Sequence, residues 1–154
     1  MSWSPDLSAD VCERIDVAAG ILIDENDRIL LTERIGDSPF AGLWEFPGGK
    51  LHSDETTEAA MRRELSEELG ITVLRCEFLM AVQHRYADRF VAIDFFTVGE
   101  WQGEPTGRDG QALLWQHPRD IDVAGLLPAD APVLEALHGK VTKDSALQPA
   151  RSGG

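Results

Sequence analysis

The run from Thr57 to Leu69 contains neither proline nor glycine, and glycines bracket it, Gly48-Gly49 before and Gly70 after. Good helix formers dominate it. Gly70 stands where a helix ends on a residue in the left-handed region. At about 100° per residue, Met61, Leu65 and Leu69 recur on one arc at i, i+4, i+8, so that arc faces a core. Glu64, Glu67 and Glu68 share the adjoining arc, roughly 100° wide. One helix thus presents a carboxylate cluster while its apolar flank holds it in place, and the rest of the fold must supply the layer it packs on.

Carboxylates crowded at i, i+3 and i+4 repel one another. Water relieves that repulsion if the face is exposed; a cation relieves it if the face is enclosed. The plain alternative is a solvated acidic helix with Arg63 and Glu67 as an i, i+4 ion pair. Hard divalent ions take oxygen ligands, and Mg²⁺ combines a few carboxylates with water and substrate phosphates.

The glycine loop and Glu55 lie at fixed distances from this cluster. Gly49, five residues, Glu55, seven residues, then Arg63-Glu64-Leu65-Ser66-Glu67-Glu68-Leu69-Gly70-Ile71 resembles the Nudix box at every defined position. The resemblance implies an α/β/α sandwich with a mixed sheet between helices, and hydrolysis of nucleoside diphosphates linked to another moiety.

Length and charge narrow the rest. At 154 residues the chain fits one domain with an adequate core. No apolar run reaches the length of a membrane span, and Met1-Ser2-Trp3-Ser4-Pro5-Asp6 is neither basic nor greasy. A cytoplasmic protein with no membrane partner is the expectation. Cys12 and Cys76 suggest no disulfide framework there. A net charge of −13 and a pI near 4.6 argue against a nucleic-acid polymer as partner, because counterion release needs Lys/Arg clusters. So acidic a surface also repels free nucleotides, so a triphosphate site must recruit cations.

Taken in order, residues 1–13 read as a polar lead-in, 14–138 as the single domain and 139–154 as a small, polar tail. Arg14 to Asp24 and Arg28 to Glu33 read as strands joined into a hairpin by Asp24-Glu25-Asn26-Asp27. A loop from Ile35 to Gly42 leads through Leu43-Trp44-Glu45-Phe46-Pro47 to the glycine pair. Ile71 to Val82 and Arg89 to Val98 read as two strands split by His84-Arg85-Tyr86-Ala87-Asp88. A glycine-rich loop (Gly103, Gly107, Gly110), a short strand from Ala112 to Trp115 and a turn of helix at His117 to Asp120 follow. Asp130 to Leu137 reads as a last helix, with Asp130 as N-cap and Pro132 in the first turn.

Phosphoanhydride hydrolysis needs neutralised phosphate charge, a deprotonated water and in-line geometry. By resemblance, Glu64, Glu67 and Glu68 ligate Mg²⁺, with Mn²⁺ as substitute, and Gly48 adds its backbone carbonyl. Arg63 orients the carboxylates. Glu55 and Gly49 support the cluster, though Glu55 also reads as a first-turn acid favoured by the helix dipole. Asp109 falls where the family commonly carries a glutamate, as metal ligand and catalytic base; it is one methylene shorter, and if it falls short Glu67 or Glu68 must position the water.

Beyond the box, Arg14 to Leu137 resembles the MutT-type branch and the similar CTP pyrophosphohydrolases. Leu43 to Lys50 matches the approach to the box, Gly103 to Gln111 the loop with the further acid, and Leu127 to Pro132 the segment that reaches the base. Arg34 would contact phosphates and Arg89 would lie near the base, unless each is a plain strand-end arginine. Lys50, Phe46 and Asp130 complete the substrate-binding set. Phe46, Phe95 and Phe96 could form a stacking wall, although aromatics in strands commonly serve the core. The 8-oxoguanine branch has asparagine at the position of Asp130. An ionised aspartate only accepts hydrogen bonds; it would favour amino or imino hydrogens on a base and disfavour a carbonyl-only edge, unless Asp130 is protonated. The alternative is that Asp130 only caps the last helix.

The expectation is a Mg²⁺-dependent nucleoside triphosphate pyrophosphohydrolase for 8-oxo-dGTP-like purines or cytosine triphosphates, monomeric or homodimeric. The rivals are a nucleotide-sensing module that does not hydrolyse, and an enzyme for nucleotide sugars or dinucleotides.

Overall fold

A computed structural model describes residues 13–37 and 40–138. Cys12, most of the lead-in and the tail from 139 lie outside the described residues. The strands are β1 (Glu13–Leu22), β2 (Ile29–Glu33), β3 (Trp44–Glu45), β4 (Gly48–Lys50), β5 (Thr72–Arg85), β6 (Arg89–Gln102) and β7 (Leu113–Gln116). Helix α1 is Thr57–Leu69, and helix α2 covers described residues 131–138.

Two sheets form. The larger is mixed, in the order β4-β1-β6-β5, and the smaller runs β3-β2-β7. All of β1 pairs parallel with β6, from Glu13 opposite Arg89 to Leu22 opposite Val98. Strand β4 pairs antiparallel on the other edge of β1 and sets Gly49 opposite Ala18 and Gly48 opposite Ala19.

The expected hairpin of the first two strands does not form. Asp24 does make the turn, its Oδ1 accepting the N–H groups of Asn26 and Arg28. Only one bridge follows, Ile23 to Ile29, and β2 leaves for the second sheet. The parallel β6 and antiparallel β4 already occupy both edges of β1. Strands β5 and β6 do form a hairpin, and both run longer than expected.

Alternation along β1 separates two cores. Ala18 and Leu22 pack with Met61, Leu65 and Leu69 of α1, while Ala19 and Ile21 pack on the opposite face with Val133, Leu134 and Leu137 of α2. The sheet therefore lies between two helices, the sandwich that the sequence implied. Helix α1 starts at Thr56, whose Oγ1 accepts the Ala59 N–H at 3.1 Å, and ends at Gly70 with φ 74°.

Candidate active site

Helix α1 is fixed on the sheet so that its acidic flank meets β4. Gly49 is required there by close approach: a Cβ on it would fall on the Glu64 carboxyl, whereas one on Gly48 would strike the β1 backbone at Ala18 and Ala19. Two glycines thus let a strand edge pass directly under a carboxylate.

Glu64 and Glu68 hydrogen-bond each other. Burial, then that bond and the Glu64 charge, push the Glu68 carboxyl far above the usual carboxylate range, against the pull of the Gly48 N–H. The pair is held together although both are acids, and a shared proton relieves the repulsion. Glu67 points away: its side chain is 58% exposed and its Oε1 accepts from Arg63 Nη1 at 3.2 Å. Among the described residues no three His, Cys, Asp or Glu side chains converge as a metal cluster. The all-oxygen pair beside a glycine cradle nevertheless suits a hard divalent cation, which would replace the shared proton.

Arg63 sits under the pair. It donates to Glu55 twice, to Glu64, to Glu67 and to the Lys50 carbonyl. Glu55 precedes the helix and also accepts the His52 N–H, so its partner is Arg63 rather than the helix dipole. Arg63 and then His52 hold its carboxyl at about 2.

The loop of residues 103–110 is pinned to the end of α1. Thr106 N–H donates to the Leu69 carbonyl and Arg108 N–H to that of Glu68, which satisfies backbone acceptors left open at a helix end. Gln111 is buried; its Oε1 accepts the Asp109 N–H and its Nε2 donates to the Glu68 carbonyl. Asp109 is thereby carried to the same cavity as Glu68.

That cavity measures about 410 Å³. Of the residues singled out from sequence, Arg34, Phe46, Gly48, Gly49, Lys50, Glu68, Arg89, Asp109 and Asp130 line it; Glu55, Arg63, Glu64 and Glu67 do not. The stacking wall of three phenylalanines is corrected. Phe95 is fully buried, edge-on to Phe46 at 6.0 Å, and Phe96 belongs to the core on the α1 face. Of these three, Phe46 alone reaches the cavity.

Asp130 stands at the expected N-cap position of the last helix, but the hydrogen bond of its side chain goes elsewhere. It lies in a 3-10 turn, Pro128–Asp130, directly before α2, and its Oδ2 accepts the Phe46 N–H at 3.1 Å. Burial, with the Glu45 charge behind it, pushes its carboxyl up to about 8, against the Phe46 hydrogen bond. At neutral pH it therefore carries a proton and can donate as well as accept, which favours the protonated alternative over an ionised, accept-only group.

Three further wall residues, Glu45, Tyr86 and Gln111, were not picked out as site residues from sequence. Glu45 is bound by Arg34 Nη1 at 3.0 Å, and burial raises its carboxyl despite that arginine. Its place in Trp44-Glu45-Phe46-Pro47, just before the glycine pair, was the available signal. Gln111 ends the Gly103 to Gln111 loop that matched the family, and Tyr86 carried no signal.

Fold and site together describe an α/β sandwich with a polar cavity beside the acidic face of one helix. Known proteins agree. The 8-oxo-dGTP diphosphatase of Haemophilus influenzae is 42% identical over 80% of this chain and 90% of its own length. The CTP pyrophosphohydrolase of Escherichia coli is 39% identical, over 79% of this chain and 90% of its own. A crystal structure of a MutT NUDIX hydrolase from Burkholderia pseudomallei matches with a TM-score of 0.73 at 30% identity, covering 80% of this chain and 98% of that one. Residues 14–137 match the NUDIX domain, and the chain belongs to the Nudix family of phosphoanhydride hydrolases, which generally use a divalent metal.

Proposed function

We propose that residues 14–138 form a divalent-metal-dependent nucleoside triphosphate pyrophosphohydrolase. Its substrates are purine deoxynucleotides oxidised at the base, such as 8-oxo-dGTP, or cytosine triphosphates. One observation carries the reading: a single cavity has Glu68, Gly48 and Asp109 in its wall together with Asp130 and Phe46. The first group suits a phosphate chain and the second a flat heterocycle with polar edges. The neutral Asp130 carboxyl supports it, because it offers both a donor and an acceptor, as an asparagine does.

In the reaction a water adds to phosphorus, the phosphoanhydride P–O bond breaks, and nucleoside monophosphate and pyrophosphate leave. Mg²⁺ bound by Glu64, Glu68 and the Gly48 carbonyl, with Asp109 from across the cavity and with Glu67 only if its side chain turns from Arg63 toward the pair, would neutralise phosphate charge and acidify water. Arg34 and Lys50 meet the phosphates and Arg89 flanks the base. We assign the water proton to Asp109, or to Glu68 once a bound cation has displaced the proton it keeps; both stand in the cavity wall.

The test is pyrophosphate release with Mg²⁺ or Mn²⁺ from a panel of ordinary, oxidised and methylated nucleoside triphosphates. Glu68→Gln should lower turnover about a hundredfold to ten-thousandfold with folding intact. Wild-type turnover in that variant, or tight nucleotide binding with no product, would end the proposal.

A further inference from the structure

Among the polar groups of the cavity wall that this chemistry does not use, one is a phenol. Tyr86, the only tyrosine in the chain, stands in the turn between β5 and β6. Its ring meets Phe40 edge-on, with centroids 5.1 Å apart, and lies 4.5 Å from the His84 ring. Neighbours on both sides restrict the phenol. The hydroxyl oxygen accepts the Ala129 N–H at 3.1 Å, a contact spanning 43 residues of chain. A tyrosine hydroxyl keeps one proton to donate whatever its oxygen accepts, and among the described residues that proton meets no acceptor.

The placement gives this proton a use. Ala129 adjoins Asp130, so one short turn brings the phenol and the buried carboxyl together in the wall. Buried and half-buried donors are ordinarily paired, and a ligand is the natural partner for one that faces a cavity. We propose that Tyr86 is a specificity-determining residue: its hydroxyl donates to an acceptor on a bound nucleobase, a carbonyl oxygen or an unprotonated ring nitrogen, beside the contacts of Asp130. This rests on the nucleotide reading of the cavity, but it needs only that a base binds there, not that it is hydrolysed. Guanine, through O6 beside N1–H, and cytosine, through N3 beside its exocyclic amine, present such acceptors next to a hydrogen that a carboxyl oxygen could accept; guanine N7 is a further acceptor without such a neighbour.

The experiment is a thermodynamic cycle. Calorimetry measures binding of dGMP and of its analogues lacking O6 (2-aminopurine) or N7 (7-deazaguanine), and of dCMP and its 3-deaza analogue, to wild type and Tyr86→Phe. One acceptor deletion should weaken wild-type binding about threefold to tenfold. Tyr86→Phe should weaken the parent nucleotide by a similar factor, and the deletion should then cost the variant less than it costs wild type. An equal loss for every nucleotide, or no coupling to any deletion, overturns the proposal in favour of a structural clamp on Ala129. A second measurement spares the wild-type side chain: 3-fluorotyrosine incorporation yields one fluorine resonance, at position 86. It should shift on adding the parent nucleotide and shift less with the acceptor-deleted one; equal shifts count against the proposal. Binding without pyrophosphate release sinks the hydrolase reading and leaves Tyr86 standing, whereas no nucleotide binding sinks both.

Discussion

Arg63 grips Glu55 through two hydrogen bonds, Nε to Oε2 at 2.7 Å and Nη2 to Oε1 at 2.9 Å. Its remaining N–H groups go to Glu64 at 3.0 Å, Glu67 at 3.2 Å and the Lys50 carbonyl at 3.0 Å. A guanidinium has five N–H donors in a fixed fork, and all five are engaged. The arginine ties the loop before α1, the strand edge β4 and the acidic face of α1 into one unit.

Lysine cannot reproduce that fork. Arg63→Lys should keep the fold and lower activity about tenfold to a hundredfold, the range for groups that orient metal ligands. The Mg²⁺ concentration for half-maximal pyrophosphate release should rise with it. An unchanged metal dependence would show that Arg63 does not act through the carboxylates.

The two glycines should respond differently to alanine. At Gly49 the new Cβ falls on the Glu64 carboxyl; at Gly48 it strikes the β1 backbone. Gly49→Ala should leave the thermal midpoint within a few degrees and cut turnover by about a hundredfold, since small misplacements at a reacting centre are that costly. Gly48→Ala should mainly destabilise the protein. Paired melting curves and assays of the two variants separate these outcomes.

Leu65 couples the core to the site. It is fully buried against the sheet and is flanked in sequence by Glu64, Glu67 and Glu68. Leu65→Ala should cost about 2–5 kcal/mol from lost burial and the cavity left behind, read by urea unfolding. The loss of activity below the new midpoint should stay modest, because the carboxylates themselves remain.

What the sequence made legible was local. The apolar period of Met61, Leu65 and Leu69, the missing breakers and Gly70 fix α1 without outside help, and Asp24 makes its turn by its own hydrogen bonds. Pairing was not legible, because β1 chooses β6 across 76 residues, as from Glu13 to Arg89, and that choice draws β2 into another sheet. Glu45 and Gln111 acquire meaning only when distant segments are brought to one cavity. The state of Asp130 was hidden for the same reason: residue type shows a carboxylate, and only burial shows that it keeps its proton.

That proton yields a sign that can be checked. The ordinary Asp value is 3.8, and in the fold Asp130 lies at about 8. Between those values the native state holds a proton that the unfolded chain has released, so stability must fall as pH rises. The contribution is fully retained below about pH 4 and gone above about pH 8, with a limiting slope of about 1.4 kcal/mol per pH unit. Asp130→Asn cannot titrate. Glu68 and Glu45, also raised by burial, remain in both proteins, so the difference between wild type and variant isolates Asp130. Urea unfolding from pH 5 to 9 should show the variant gaining on wild type up to about pH 8 and running parallel beyond. A constant difference across that range would mean that Asp130 ionises like an ordinary surface aspartate, and the donor role given to it at the base edge would fall with it.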